Sequence, residues 1–314
     1  MGGRDKMKTM KKTLSIGILS GKGGVGKTSL AASLISLASS DSEFNALSMD
    51  CDVDAPNLAL ILPPSDTDIK TIEIYTSKKA EFLPDLCIKC KRCVDERFCE
   101  FDALEWDSDK ELPLIDYLAC EGCGACKELC PEHAFKIGNV KSGEIIAYKT
   151  YKDTPLIYGK TILGSTTSGK LVTEVKDFAQ KSIEGKNIDL MIIDGPPGIG
   201  CPVIATISGL DYIILITEPT PSGLHDLMRV IEVIDQFNIP FGIVINKADI
   251  KSSFKNKILK FIKKNKYDVL GSIKFDLTIP KAMATAMPVV DFAPESEVTQ
   301  DINRIYLNLK KLLF

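Results

Sequence analysis

Residues 21–28 read Gly-Lys-Gly-Gly-Val-Gly-Lys-Thr, and their setting limits the fold more than any other feature of the chain. Residues 13–19 are a short apolar run that reads as a buried strand, and an apolar helix follows Lys27 to about Leu37. A glycine-rich turn between a strand and a helix points backbone N–H groups at phosphate oxygens, and the helix N-terminus adds partial positive charge. Gly21, Lys22, Gly23, Gly24, Val25 and Gly26 form the cradle. Lys27 is expected to reach the β- and γ-phosphates, and the Thr28 hydroxyl to coordinate Mg²⁺. The pattern predicts an α/β fold with a doubly wound, mostly parallel sheet.

Eight of the ten cysteines fall in two runs. The first places Cys87, Cys90, Cys93 and Cys99, the second Cys120, Cys123, Cys126 and Cys130 followed by Pro131. The second run has the spacing of bacterial ferredoxins; the first has two more residues before its last cysteine, and Glu100 stands where the second has proline. Triplets two residues apart can reach neighbouring corners of one iron–sulfur cube, and the fourth cysteine crosses to the other cube. Cys87, Cys90, Cys93 and Cys130 are therefore expected on one [4Fe–4S] cluster, and Cys99, Cys120, Cys123 and Cys126 on a second. Zinc sites use paired CxxC motifs rather than triplets, and a disulfide scaffold suits a short secreted chain.

At 314 residues and 45% hydrophobic, the chain can bury a large core and hold a small insertion. No apolar run approaches the ~20 residues that span a bilayer. With no apolar segment at its start and cluster-type cysteines, the chain reads as cytoplasmic. The net charge is −3, yet residues 81–144 hold 15 acidic and 8 basic residues. Such a face favours an acceptor with a basic docking surface and repels nucleic acid; a merely solvated surface explains the bias equally well.

The stretch beginning at Lys22 resembles the deviant Walker A motif of the MinD/ParA class of ATPases. The resemblance implies that Lys22 reaches the phosphates of a dimer partner, where its charge meets the transition state. It continues through residues 50–58, where Asp52 matches the water-orienting carboxylate and Asp50 supports Mg²⁺, and through residues 194–201, where Asp194 matches the Walker B carboxylate. Asn246, ending the strand at residues 241–245, resembles the adenine contact. The Asn246-Lys247-Ala248-Asp249 sequence leaves guanine open as the base, and the resemblance to the deviant Walker A motif favours ATP. Together these motifs look like a MinD-superfamily P-loop ATPase with an inserted ferredoxin-like α+β domain at residues 79–147, the ATPase comprising residues 1–78 and 148–314.

Cys201 lies at the offset from Asp194 where the nitrogenase iron protein of this class has a cluster ligand, though packing is the commoner role of such a thiol. Cys51 reads as a small buried residue, and His133 and His225 as isolated. Residues 1–12 read as a polar tail, with Lys6 breaking a lipidation motif. Residues 301–314 align Ile302, Ile305, Tyr306, Leu309, Leu312 and Leu313 on one helical face, read as a closing helix rather than a membrane anchor.

The expected function is ATP-driven dimer closure coupled to electron transfer through two [4Fe–4S] clusters toward a metalloprotein or cofactor-assembly partner. The dimer would be homomeric or formed with a similar ATPase. Lys22, Lys27, Asp52 and Asp194 would be catalytic. The alternative is a carrier or scaffold ATPase for iron–sulfur assembly, and a nucleic-acid- or membrane-positioning role ranks behind both.

Overall fold

The computed structural model describes residues 12–165 and 167–314, so the reading of the N-terminal tail lies outside the described residues up to residue 11. The chain runs through β1 (Leu14–Ser20), α1 (Lys27–Ser40), β2 (Ala46–Asp50), α2 (Leu58–Ile61) and β3 (Lys70–Ile74). Next come β4 (Ser77–Phe82), α3 (Arg92–Asp95), β5 (Leu104–Asp107), β6 (Leu112–Ile115), α4 (Ala125–Leu129) and β7 (Phe135–Val140). It returns through β8 (Gly143–Lys149), β9 (Pro155–Thr161), α5 (Ser168–Ile183), β10 (Leu190–Pro197), α6 (Cys201–Ile207), β11 (Tyr212–Thr217) and α7 (Pro221–Asp235). The last elements are β12 (Phe241–Ile245), α8 (Ser252–Asn265), β13 (Asp268–Ser272), α9 (Thr278–Ala284), α10 (Val289–Phe292) and α11 (Glu297–Leu313).

Nine strands form one sheet in the order β13-β12-β11-β1-β10-β2-β9-β8-β3. Pairing is parallel from β13 to β9 and antiparallel from β9 through β8 to β3. The parallel strands are apolar on both faces because helices cover both. In β11, Tyr212, Ile214 and Ile216 join the core beneath α1 and α11, while Ile213 and Leu215 join the core beneath α5, α7 and α8. That is the two-residue alternation of a strand between two helical layers.

The segment between β3 and β8 builds two separate small sheets, β4–β7 and β5–β6, both antiparallel. They pack around a third core of Ala80, Phe98, Ala103, Ala134, Phe135 and four buried cysteines. Residues 143–147, grouped with the insertion on sequence, instead lie in β8 of the large sheet. The reason is two-sided burial: Ile145 enters one large core and Ile146 the other.

The closing helix α11 buries Val298, Ile302, Ile305 and Leu309 against the sheet, with Ile305 close to Gly271 of β13. Leu312, counted on the same face, is half exposed. Among the described residues no helix is long and apolar enough to cross a membrane.

Candidate functional site

The loop after β1 sits at the carboxyl end of the parallel sheet. Gly24 and Gly26 have φ of 78° and 96°, a left-handed conformation that residues with a Cβ rarely adopt. A side chain on Gly26 would also overlap the amide of Asn246. Asn246 is buried beneath the loop, donating from Nδ2 to the Val25 carbonyl at 2.7 Å while its Oδ1 accepts from the Lys247 N–H at 2.9 Å. Lys247 Nζ donates to the Gly24 carbonyl at 3.1 Å. Residues 246 and 247 thus brace the phosphate loop from behind.

Register brings the acids together. Asp194 lies beside Asp50 across β10 and β2, and both are fully buried. Lys27 Nζ is 2.9 Å from Asp194 Oδ1 and 3.7 Å from Asp52 Oδ2. Burial works against the charge on Lys27, but Asp194, Asp52 and Asp50 outweigh it and hold its pKa above the ordinary lysine value. Burial and the neighbouring Asp194 push Asp50 well above the usual carboxylate range, and burial likewise raises Asp52 despite Lys27. Asp50 accepts the N–H groups of Asp52 and Leu58, each at 2.9 Å, so it fixes the turn that presents Asp52. Asp194 Oδ2 is buried with no hydrogen-bond partner among the described residues. An orphaned carboxylate oxygen on the residue that pairs with Lys27, whose neighbour Thr28 lies in the first turn of α1, is a fitting acceptor for the water shell of Mg²⁺.

Lys22 folds back onto its own chain. Its Nζ lies 2.6 Å from Glu218 Oε1 and 3.2 Å from Ser222 Oγ, while Glu218 Oε2 takes Lys247 at 2.9 Å. Burial alone would raise Glu218; the two lysines reverse that and hold it below the usual carboxylate range. Sequence reasoning missed Glu218, because nothing in its local pattern marks a glutamate that bridges two lysines distant in the chain.

Asp54, two residues beyond Asp52, holds both ends of the β9–α5 connection. Its Oδ1 accepts from Thr161 Oγ1 at 3.0 Å and from Ser168 Oγ at 2.8 Å. Next to Ser168, the Thr167 hydroxyl is 3.0 Å from Thr76 Oγ1 and 2.9 Å from Ser77 Oγ, where the chain enters β4. A run of short polar contacts therefore links the acidic turn after β2 to the root of the small sheets.

All ten cysteines are free. Cys99, Cys120, Cys123 and Cys126 line one recess, with Ala80, Ile137 and Gly122. Cys87, Cys90, Cys93 and Cys130 line a second, with Trp106 and Phe135. The last cysteine of each run thus lies with the other run's triplet. Backbone N–H groups donate to sulfur in both: Ala80 to Cys120 at 3.4 Å and Ala103 to Cys99 at 3.3 Å, Lys89 to Cys87 and Ala134 to Cys130 each at 3.4 Å. Burial, then crowding by the other thiols of its recess, pushes Cys93 up to about 11 and Cys126 up to about 11. Thiols so placed give up protons when a metal takes their place. Among the described residues no three His, Cys, Asp or Glu side chains are grouped to hold a single ion. Four thiols spread around a recess fit a polynuclear cluster better than a mononuclear ion. Cys201 is exposed at the start of α6, and burial drives the Cys51 thiol up to about 12.

A glycine-rich strand–loop–helix at the carboxyl end of a parallel sheet, with a lysine among three carboxylates, defines a P-loop nucleotide-binding protein. The chain belongs to the CobQ/CobB/MinD/ParA nucleotide binding domain family, whose model matches residues 16–289. It is 37% identical over 303 residues to an uncharacterised protein of Methanocaldococcus jannaschii, covering 96% of this chain and 98% of that one. It is 24% identical over 301 residues to an iron–sulfur cluster carrier protein of Pyrococcus furiosus, covering 91% and 82%. In fold it is similar to the septum site-determining protein MinD of Pyrococcus horikoshii in complex with Mg-ADP. That match has a TM-score of 0.58 and 20% identity, and covers 96% of this chain and 97% of that one.

Proposed function

We propose that this chain is an ATP-hydrolysing iron–sulfur carrier, holding two [4Fe–4S] clusters in the small sheets and passing iron–sulfur cargo to acceptor proteins under nucleotide control. The observation that carries this is two four-thiol recesses on the same chain as a complete P-loop site. Similarity over nearly the whole chain to proteins named iron–sulfur cluster carriers supports the carrier role over others.

At the nucleotide site, Thr28 and Asp194 would hold Mg²⁺, which neutralises charge on the phosphates when bound. Lys27 would exchange its partner Asp194 for phosphate oxygens once the cation takes over that carboxylate. Asp52 would accept a hydrogen bond from the attacking water and orient it in line. Asn246 keeps the loop in shape from below. Lys22 would act across a dimer of two copies or of this chain with a similar ATPase, after leaving Glu218.

Electron transfer through two resident clusters is the second reading. The specific observation favouring it is that each recess has four thiols and N–H donors to sulfur, a full set that retains a cluster. One experiment separates the two. The anaerobically reconstituted protein is mixed with an apo-ferredoxin acceptor and a chelator, with and without MgATP, and iron and sulfide are measured on both proteins. Transfer that MgATP accelerates about tenfold or more supports the carrier; clusters that stay on this chain under all conditions overturn it in favour of electron transfer.

A further inference from the structure

Lys79 lies on β4 with only 7% of its surface exposed. A buried ammonium is costly unless an anion compensates it. Among the described residues Lys79 has no such partner: Nζ donates to the carbonyls of Cys120 at 2.5 Å and Gly164 at 3.3 Å, and no carboxylate pairs with it. Two carbonyls accept from its N–H groups but carry no charge to balance it.

The neighbouring residues say what would balance it. Lys79 and Ala80 both bind Cys120, Lys79 through the carbonyl and Ala80 through the sulfur. Ala80 lines the recess of Cys99, Cys120, Cys123 and Cys126. Gly122, at φ 64°, lets the cysteine loop press onto the Lys78 carbonyl, where a side chain would overlap. The other recess lies at the opposite end of β4, where Phe82 pairs with Phe135. Lys79 is thus a fixed cation beside one recess and away from the other.

We infer that Lys79 is the counter-cation of the cluster held by Cys99, Cys120, Cys123 and Cys126, and sets its reduction potential above that of an otherwise similar site. The inference rests on the two-cluster reading above. A cubane with four thiolates is a net dianion, and one added electron makes it a trianion. A fixed positive charge stabilises the trianion more than the dianion, so it favours reduction.

The test is an anaerobic potentiometric titration of the intact reconstituted protein, followed by EPR, in the wild type, Lys79→Met and Lys79→Arg. Lys79→Met is expected to lower the reduction equilibrium of one cluster at least tenfold, ~59 mV for one electron, and leave the other unchanged. Lys79→Arg should recover most of the shift. If Lys79→Met binds only one cluster while Lys79→Arg binds two, the charge is shown to be required and the inference stands. It is overturned if both potentials stay put, if both move equally, or if Arg behaves as Met. A wild-type chain that reconstitutes without two cubane signals overturns the two-cluster reading itself, and the counter-ion role with it.

Discussion

At the scale of single residues, Glu218 decides where Lys22 points. Lys22 is the lysine whose family resemblance puts it in a partner's active site, yet here it rests 2.6 Å from Glu218. The same carboxylate holds Lys247, which in turn touches the phosphate loop at Gly24. A partly exposed ion pair of this sort contributes up to about 1 kcal/mol, a factor of about five in an equilibrium. Glu218→Gln should therefore release Lys22 and raise ATP turnover severalfold at protein concentrations where dimerisation limits the rate. Lys22→Ala should abolish turnover while sparing ADP binding. Turnover measured against protein concentration checks both, and a Glu218→Gln variant no faster than wild type would rule out the latch.

At the scale of elements, the connection from β9 to α5 deserves the name of a joint. Asp54 holds it at Thr161 and Ser168, and Thr167 ties it to Thr76 and Ser77 at the root of β4. A change at Asp52 on nucleotide binding can travel through Asp54 to the small sheets along these contacts. Thr167→Val removes the hydroxyl but keeps the shape, at about 0.5–1.5 kcal/mol for the lost hydrogen bonds, since Thr76 keeps Ser142 and Ser77 keeps Ser165. The expected result is MgADP affinity within about twofold of wild type, together with loss of any nucleotide-induced hydrogen-exchange protection in β4. Retained protection in β4 would place the coupling elsewhere. This joint was not readable in advance, because its contacts join four separate stretches of chain, at residues 54, 76–77, 161 and 167–168. What was readable was continuous: β1, the glycine loop and α1 form one local pattern, and β10, β11 and β12 are apolar runs ending in chemistry-bearing residues. The antiparallel edge was hidden, since β3 meets β8 only after the whole insertion has intervened. Lys78 and Lys79 look alike in the sequence, and only the docking of the Cys120 loop buries one of them. Asp50 illustrates the same limit: its place in an acidic turn was plain, but its two bonds to backbone N–H groups follow from how the turn closes.

At the scale of the whole molecule, the contrast between cores sets how it should come apart. The large sheet is sandwiched between two extensive apolar cores, while the small sheets share one in which, among the described residues, Cys93, Cys120, Cys126 and Cys130 are four of only nine buried ones. A core that small stabilises little by apolar burial alone, and domains of this kind lean on bound metal. Under the two-cluster reading, cluster binding is folding energy for the small sheets and nearly irrelevant to the large one. Iron-stripped protein should therefore melt in two steps, with the small sheets lost first. MgADP at a hundred times its Kd should add about 2.7 kcal/mol to the nucleotide domain and shift only the upper step. Calorimetry of the intact chain, with hydrogen exchange to assign residues 77–140 to the lower step, tests this directly. A single transition that moves as a whole with nucleotide would mean the joint at Thr167 binds the two units into one cooperative body, and that the clusters stabilise the ATPase as well.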